Sequence, residues 1–213
     1  MKLYLSSYYY GNYPNILTRL VGTNKKAAVI ANSIDFLDDS GRDERVNYEI
    51  NALTELGFQA EELDLRDYFD SLKDIEQKLS EYGLLWLRGG NVFVLRRAMA
   101  QSGFDKVIYS LLKKNKIVYG GYSAGACVIT PDLHGLELAD DPNIVPEGYK
   151  SKIIWEGLGL VGFSIAPRYK SNHTEAEKVA KITDYFVENN ILYKTLHSGE
   201  VIVINGDKEE IFG

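Results

Sequence analysis

Short apolar runs alternate with helical stripes over the first 123 residues of the chain. Runs rich in aliphatic and aromatic residues predict strands, whereas apolar residues spaced three or four apart predict helices. The predicted strands cover residues 2–7, 25–33, 58–65, 83–88 and 116–122. The predicted helices cover residues 42–57, about 71–80, 92–100 and 104–114. This alternation is typical of an α/β fold, in which helices cover both faces of a mostly parallel sheet.

The helix predicted over residues 42–57 carries an apolar stripe with spacings of four, three and three residues, and Gly57 ends it. The stripe consists of Val46, Ile50, Leu53 and Leu56. A stripe of this kind predicts that one face of the helix packs on the sheet.

The C-terminal third of the chain has a different pattern. Residues 152–167 predict strand and turn, residues 175–188 a helix, and residues 200–213 a β-hairpin. Asn205-Gly206 is expected to supply the primed turn that a two-residue hairpin loop needs. Neither an internal repeat nor a low-complexity linker interrupts the chain, so we predict a single domain over residues 1–213.

The composition argues against several classes of function. The formal net charge is −6 and no block of Lys and Arg offsets it, so we expect neither nucleic acid nor a membrane surface as a partner. No apolar segment approaches the length of a membrane span, and no signal peptide is recognisable. The single cysteine, Cys127, argues against a disulfide framework and fits the cytoplasm. Since only three histidines accompany it, we expect no metal site, and we expect no cofactor.

A serine lies in a tight turn, here called the serine corner, between a predicted strand and a predicted helix. The segment Gly121-Tyr122-Ser123-Ala124-Gly125 matches G-x-S-x-G in the context that gives this motif meaning. Small residues on both sides let the backbones pass, and the sharp turn exposes the serine hydroxyl above free N–H groups. The other interpretation is a plain glycine-rich turn in which Ser123 is a helix N-cap. Cys127, one helical turn further on, is more typical of a small buried apolar residue than of a nucleophile.

A second glycine turn, Gly89-Gly90-Asn91, also follows a buried strand and precedes a helix. The carboxyl ends of parallel strands meet at one edge of the sheet, where ligands bind. Backbone N–H groups of this turn and of Ala124 can therefore form an oxyanion hole. Alternatively, Asn91 only caps its helix.

A serine hydroxyl becomes a nucleophile only when a neighbouring base takes its proton. His173 precedes a T-x-x-E capping box and so lies just before a helix N-terminus, which favours the neutral imidazole that a base requires. His197 precedes the apolar strand of the hairpin, and His134 lies in a loop between Pro and Gly. Each histidine has the alternative of an ordinary solvated side chain.

An acidic residue could orient the imidazole of the base, as the third member of a catalytic triad does. Glu200 stands at the start of the hairpin strand, and its alternative is an exposed turn carboxylate.

Four segments, LRGGNVFVL, GGYSAGACV, GLGLVGFSIAPRYKSNH and HSGEVIVI, resemble in the same order the peptidase E (aspartyl dipeptidase) family of serine peptidases. The resemblance implies the fold of the class I glutamine amidotransferase domain, a three-layer sandwich, and hydrolysis of short peptides through an acyl-enzyme. It also implies Ser123 as the nucleophile, Gly90 and Ala124 as the oxyanion donors, and Glu200 as the acidic residue proposed for some members. Residues 137–143 also resemble a loop of the family, which implies Asp140 or Asp141 as a residue that orients a histidine, whereas Pro142 favours an ordinary turn.

The sequence departs from the family at one important position. The family usually has a Pro-His-aromatic segment whose histidine is the base, but this chain reads Pro167-Arg168-Tyr169. Arginine stays protonated and cannot accept the serine proton. Either His173, five positions later, has taken the role or the serine is poorly activated.

Our first hypothesis is a cytoplasmic serine peptidase that acts on short peptides through Ser123, His173 and Glu200. Arg168 would bind a substrate carboxylate, and Asn91 would contribute to the substrate site. The alternative is a catalytically impaired relative that keeps the pocket as a small-molecule or peptide binding module. The oligomeric state stays open between a monomer and a homodimer.

Overall fold

Seven strands form one mixed sheet in the computed structural model, which describes residues 1–69, 74–170 and 176–213. The strands in chain order are β1 (Lys2–Ser6), β2 (Lys26–Ile30), β3 (Gln59–Glu62), β4 (Leu84–Leu87), β5 (Val118–Tyr122), β6 (Ser164–Pro167), β7 (Tyr193–Leu196), β8 (Val201–Asn205) and β9 (Lys208–Phe212). Their order across the main sheet is β3-β2-β4-β5-β1-β8-β9, so β3 and β9 are the outermost strands. Strands β1 to β5 pair in parallel, whereas β8 and β9 pair antiparallel. Strands β6 and β7 form a separate parallel pair.

The described helices are α1 (Pro14–Val21), α2 (Asp39–Glu55), α3 (Ile75–Leu79), α4 (Val92–Ser102), α5 (Phe104–Lys113), α6 (Ala124–Cys127) and α7 (Ala176–Glu188). None of the helices in this described part is long and apolar enough to cross a membrane. Most follow the sequence pattern, but α1 was not predicted. It begins with Pro14 at its first turn, ends at Gly22, and buries Leu17, Leu20 and Val21.

The predicted α/β fold is confirmed, with apolar layers on both faces of the sheet. Alternate residues of each strand point to opposite faces. In β1, Leu3 and Leu5 belong to the layer that α4 and α5 cover, whereas Tyr4 belongs to the layer that α1 and α2 cover. This alternation is why the central strands read as continuous apolar runs.

The strand register brings the two glycine turns together. Leu87 at the end of β4 lies opposite Gly121 of β5, and Ser6 at the end of β1 lies opposite Tyr122. The turn that follows β4 and the serine corner that follows β5 therefore share the carboxyl edge of the sheet, as the parallel pattern predicted.

Two sequence expectations need correction. The hairpin is present, but Asn205 pairs with Lys208, so Gly206 and Asp207 are the central residues of its turn. Gly206 has φ of 66°, which fits the positive φ that a primed turn demands at its first central position. In the region expected to be strand and turn, only Ser164–Pro167 forms a ladder strand, and Glu156 makes one isolated bridge to Asp132.

A buried ion-pair cluster, here called the Arg42 cluster, joins α2 to the chain that follows β2 and β3. The Arg42 guanidinium lies 2.6 Å from Asp35, 2.6 Å from Glu62 and 3.3 Å from Asp64. The Arg42 side chain is only 5% exposed, and Asp35 is fully buried. Three carboxylates therefore accept hydrogen bonds from the Nε and Nη2 of one guanidinium.

Candidate active site

Ser123 occupies a strained backbone position between β5 and α6. Its φ of 50° and ψ of −117° match the first central position of a type II′ turn, where glycine is the usual residue. The Ser123 N–H donates to the Ser6 carbonyl at 3.3 Å, and the Ser123 carbonyl accepts from Ala126 and Cys127. A non-glycine residue held in this region costs about 1–3 kcal/mol, and such strain concentrates at functional sites.

The flanking glycines are required by close backbone contacts. A Cβ on Gly125 would lie 2.2 Å from the Leu87 carbonyl oxygen, and one on Gly121 would lie 2.9 Å from Gly125. The helix that follows is a single turn, Ala124–Cys127, which is shorter than the sequence suggested. Individual N–H groups, rather than a long helix dipole, are therefore what this corner offers to an anion.

The Gly89-Gly90 turn packs directly on the serine corner. A Cβ on Gly89 would lie 2.8 Å from the Tyr122 ring and 3.0 Å from the Ser123 Cβ. A Cβ on Gly90 would lie 2.5 Å from the Ser33 carbonyl oxygen. Among the described residues, the N–H groups of Gly90 and Ala124 donate to no acceptor. Both predicted oxyanion donors therefore lie beside the serine without a hydrogen bond to the described part of the chain.

A cavity of about 270 Å³ opens over this corner. Its wall includes Ser123, the two glycines of the neighbouring turn, Tyr8 and Tyr9 from the segment after β1, and two arginines. Its apolar part is formed by Leu136, Ala139, Pro167, Val179 and Ile182. Three of the described non-glycine residues with positive φ, namely Tyr9, Ser123 and Arg168, line it. Backbone strain thus concentrates around one cavity.

Arg168 lines the same cavity directly after β6 and has φ of 58°. Its backbone N–H donates to the buried Ser7 hydroxyl at 2.9 Å. Its guanidinium carbon lies 4.7 Å from the centre of the Tyr8 ring, which is a cation–π contact. The structure therefore holds a permanent positive charge at the wall of the cavity.

A second arginine belongs to a group that we call the Arg88 cluster, formed by Glu49, Trp86, Arg88 and Tyr122. The Glu49 carboxylate is fully buried on α2 and accepts from Tyr122 at 2.5 Å and from Trp86 at 3.1 Å. The Arg88 Nε lies 3.5 Å from the same carboxylate. Burial raises the pKa of Glu49, and the hydrogen bond from Tyr122, the charge of Arg88 and the hydrogen bond from Trp86 offset only part of that effect.

Asn91 and Glu200 both have hydrogen bonds within their own turns. The Asn91 side chain caps α4 by accepting from Phe93 at 2.9 Å and Val94 at 3.0 Å, and its amide donates to the Asp141 carbonyl. Glu200 accepts from the backbone N–H of His197 at 2.7 Å. Neither side chain lines the cavity.

The histidine candidates lie in different places. His173 falls outside the described residues. The His197 ring packs edge-on against Tyr169 at 5.6 Å between ring centres. His134 stacks on Trp155 and pairs with Asp132 at 2.5 Å, away from the serine cavity.

Asp140 lines the cavity, and its carboxylate accepts the N–H of Val92 at the start of α4. Cys127 also lines the cavity, but its thiol is buried, and burial raises the pKa of that thiol well above its ordinary value. A thiol in this state is a weak nucleophile. Within the described ranges, no group of His, Cys, Asp or Glu side chains is arranged to hold a metal ion.

Sequence reasoning missed Arg88, Glu49 and the two tyrosines after β1. Arg88 was detectable as a charge at the end of an otherwise apolar strand, immediately before the glycine turn. Glu49 was detectable too, because it shares the buried face of α2 with Val46 and Leu53. A carboxylate on an apolar stripe indicates a buried partner.

A sequence model described as peptidase family S51 matches residues 17–212. The chain is similar to an uncharacterized peptidase of Listeria monocytogenes, with 28% identity over 180 residues that cover 82% of each chain. It is also similar to a probable alpha-aspartyl dipeptidase of Drosophila melanogaster, with 27% identity over 168 residues covering 76% of this chain and 64% of the relative. The crystal structure of a putative peptidase E protein from Listeria monocytogenes matches the fold with a TM-score of 0.77 at 24% identity, covering 99% of this chain and 97% of that one.

Proposed function

The chain belongs to peptidase family S51, and we propose on that premise that it is a serine peptidase that hydrolyses short peptides through an acyl-enzyme. One observation supports the proposal: Ser123 has a positive φ and lies beside two N–H groups that donate to none of the described residues, and Ser123, Gly90 and Ala124 line one cavity. A site of this kind suits attack on a carbonyl and stabilisation of the oxyanion that results.

In the proposed reaction, the Ser123 hydroxyl attacks the peptide carbonyl while its proton passes to a base. The Gly90 and Ala124 N–H groups donate to the oxyanion. The base then protonates the leaving amine as the peptide bond breaks, and water hydrolyses the acyl-enzyme by the reverse sequence. We propose His173 as the base and Glu200 as the residue that orients it.

Arg168 is the residue that we propose to bind a carboxylate of the substrate. Its charge at the cavity wall and its contact with Tyr8 support this role, since a guanidinium forms paired hydrogen bonds with carboxylates. The proposed contribution of Asn91 to the substrate site is indirect. Its side chain fixes the start of α4 and thereby the turn that carries Gly90.

Arg168 also favours a second function, a binding module without peptidase activity. It stands where the family resemblance places the catalytic histidine, and it cannot act as a base. In this alternative the cavity binds a short peptide or a small anion, and Ser123 stays unreactive.

Labelling with a fluorophosphonate probe separates the two functions. An activated Ser123 forms one covalent adduct, which intact-protein mass spectrometry detects, whereas the Ser123→Ala variant forms none. Ser110→Ala, which changes an exposed serine on α5, serves as the control and should label normally. Folded wild-type protein that does not label would support the binding module.

The base is tested by the labelling rate of histidine variants. His173→Ala should slow labelling by about 100-fold or more, whereas His197→Ala and His134→Ala should leave the rate unchanged. An unchanged rate in His173→Ala, with a loss in His197→Ala, would transfer the role to His197.

We further propose that the protein works in the cytoplasm. The support is its one cysteine, which is free and buried, as is usual in a reducing compartment.

A further inference from the structure

Arg88 lies close to the nucleophile through its contact with Gly89. It precedes Gly89, whose backbone packs on the Ser123 side chain. The Arg88 Nη1 donates to the Gly89 carbonyl at 2.6 Å. The guanidinium therefore lies next to the residue that touches the reactive serine.

The buried carboxylate of Glu49 orients this guanidinium. Glu49 approaches the Arg88 Nε to 3.5 Å and is itself fixed by hydrogen bonds from Tyr122 and Trp86. A guanidinium held in this way loses little side-chain freedom when a ligand binds, which favours affinity. The same carboxylate balances its charge in the absence of a ligand.

One terminal nitrogen of the Arg88 guanidinium forms no hydrogen bond within the described part of the chain. Its Nη2 donates to no acceptor among residues 1–69, 74–170 and 176–213. The side chain is 14% exposed and lines the serine cavity. Since a guanidinium has five donors in a planar fork, this edge can take an anion.

We propose that Arg88 binds the C-terminal carboxylate of the substrate. The inference rests on the proposed function, in which Ser123 faces the scissile carbonyl. In a dipeptide the terminal carboxylate follows that carbonyl by one residue, about 3.3–3.6 Å along an extended chain. Arg88 and Ser123 line the same cavity, and Gly89 contacts both side chains, which supports a short separation between the bound carboxylate and the scissile carbonyl. Side-chain carboxylates lie at varying distances, whereas the main-chain carboxylate lies at the same distance in every dipeptide.

The test measures binding and does not need turnover. In the Ser123→Ala background, isothermal titration calorimetry compares Ala-Ala with Ala-Ala amide. The free acid should bind about 10- to 100-fold more tightly than the amide, which is the range for hydrogen bonds to a charged group. Adding Arg88→Met should remove this difference and leave the affinity for the amide unchanged. Arg45→Met, which removes an exposed arginine of α2, is the matched control and should preserve the difference.

A second variant covers the case in which Arg88→Met fails to fold because Glu49 is left without its cation. The double variant Glu49→Gln/Arg88→Met removes both charges and keeps an acceptor for Tyr122 and Trp86. It should also bind the acid and the amide equally.

Several results would overturn the inference. These are equal affinity for acid and amide in the Ser123→Ala protein, no binding of either peptide, equal loss of both affinities in Arg88→Met, and loss of the difference in Arg168→Met alone. Failure of the proposed function has a separate signature, the absence of fluorophosphonate labelling at Ser123. A protein that does not label but still discriminates acid from amide through Arg88 would be a binding module for free dipeptides.

Discussion

The Arg42 cluster and the Arg88 cluster both bury charge against α2, yet only the arginine of the second cluster lines the serine cavity. In the Arg42 cluster, one guanidinium meets three carboxylates, and its side chain is 5% exposed. In the Arg88 cluster, one carboxylate accepts two hydrogen bonds and lies 3.5 Å from the arginine, whose Nη2 forms no hydrogen bond within the described residues and whose side chain lines the serine cavity.

The two clusters show how a buried charge that stabilises the fold can be distinguished from one that can bind a ligand. A buried ion that is paired with opposite charges and lies away from a cavity contributes to folding. A buried ion with an unused donor at a cavity wall can bind a ligand. The comparison therefore predicts that changes in the first cluster affect stability alone, whereas changes in the second also affect the serine.

The largest effect on stability is expected from Arg42→Met. It leaves Asp35 and Glu62 without their nearest cation, and breaking a buried pair costs about 3–5 kcal/mol. Urea denaturation measures the loss, with Arg45→Met as a control expected within about 0.5 kcal/mol of wild type. Fluorophosphonate labelling of the folded variant should proceed at the wild-type rate. A slower rate would contradict the prediction that changes in the Arg42 cluster affect stability alone.

A smaller loss of stability, but a change at the serine, is expected from Glu49→Leu. This change leaves the Tyr122 hydroxyl and the Trp86 N–H buried without an acceptor, at a cost of about 2–3 kcal/mol. Because Tyr122 precedes Ser123, the labelling rate should also fall by about tenfold or more. Glu49→Gln keeps an acceptor and should recover most of the stability. Wild-type labelling in Glu49→Leu would show that this cluster is as structural as the first.

The two clusters should respond to pH in opposite directions. Burial raises the pKa of Glu49 above 4.5, so its contribution to stability is complete below 4.5 and decreases as the pH rises through the folded value. Burial would also raise the pKa of Asp64, but hydrogen bonds from Arg66 and Asn32 outweigh it and lower that pKa below 3.8. Asp64 therefore contributes above 3.8, and its contribution is lost as the pH falls through the folded value.

Unfolding free energies of wild type, Glu49→Gln and Asp64→Asn over a range of pH measure these responses. The advantage of wild type over Glu49→Gln should shrink as the pH rises, whereas its advantage over Asp64→Asn should shrink as the pH falls. Slopes of the same sign would contradict the assignment.

The smallest effect is expected from Ser123→Gly. Glycine adopts positive φ without the penalty that serine incurs, so the protein should gain about 1 kcal/mol in its free energy of unfolding. Ser123→Ala keeps the strained backbone and should have the stability of wild type. Thermal denaturation of the two variants compares them directly. A loss of stability in Ser123→Gly would show that the corner is not strained.

Local sequence signals predicted the core strands and the serine corner, because the strand, the glycines and the turn lie within a few residues. The Arg88 cluster depends on contacts between residues far apart in the chain, such as Glu49 with Tyr122, and spacing alone does not reveal them. The short strand β7 was missed because its four residues are mostly half-buried and lack an apolar run. The hairpin turn was displaced by one residue because Gly206, not Asn205, takes the first central position.

Both edge strands of the main sheet carry charged side chains. The outer strand β3 ends in Glu61-Glu62, and β9 at the other border begins with Lys208-Glu209-Glu210. A second molecule that paired with β3 would place its own strand beside these glutamates. Charged side chains on an edge strand disfavour such pairing. The charged edge strands therefore disfavour both a homodimer formed by strand addition and growth of the sheet into a fibre.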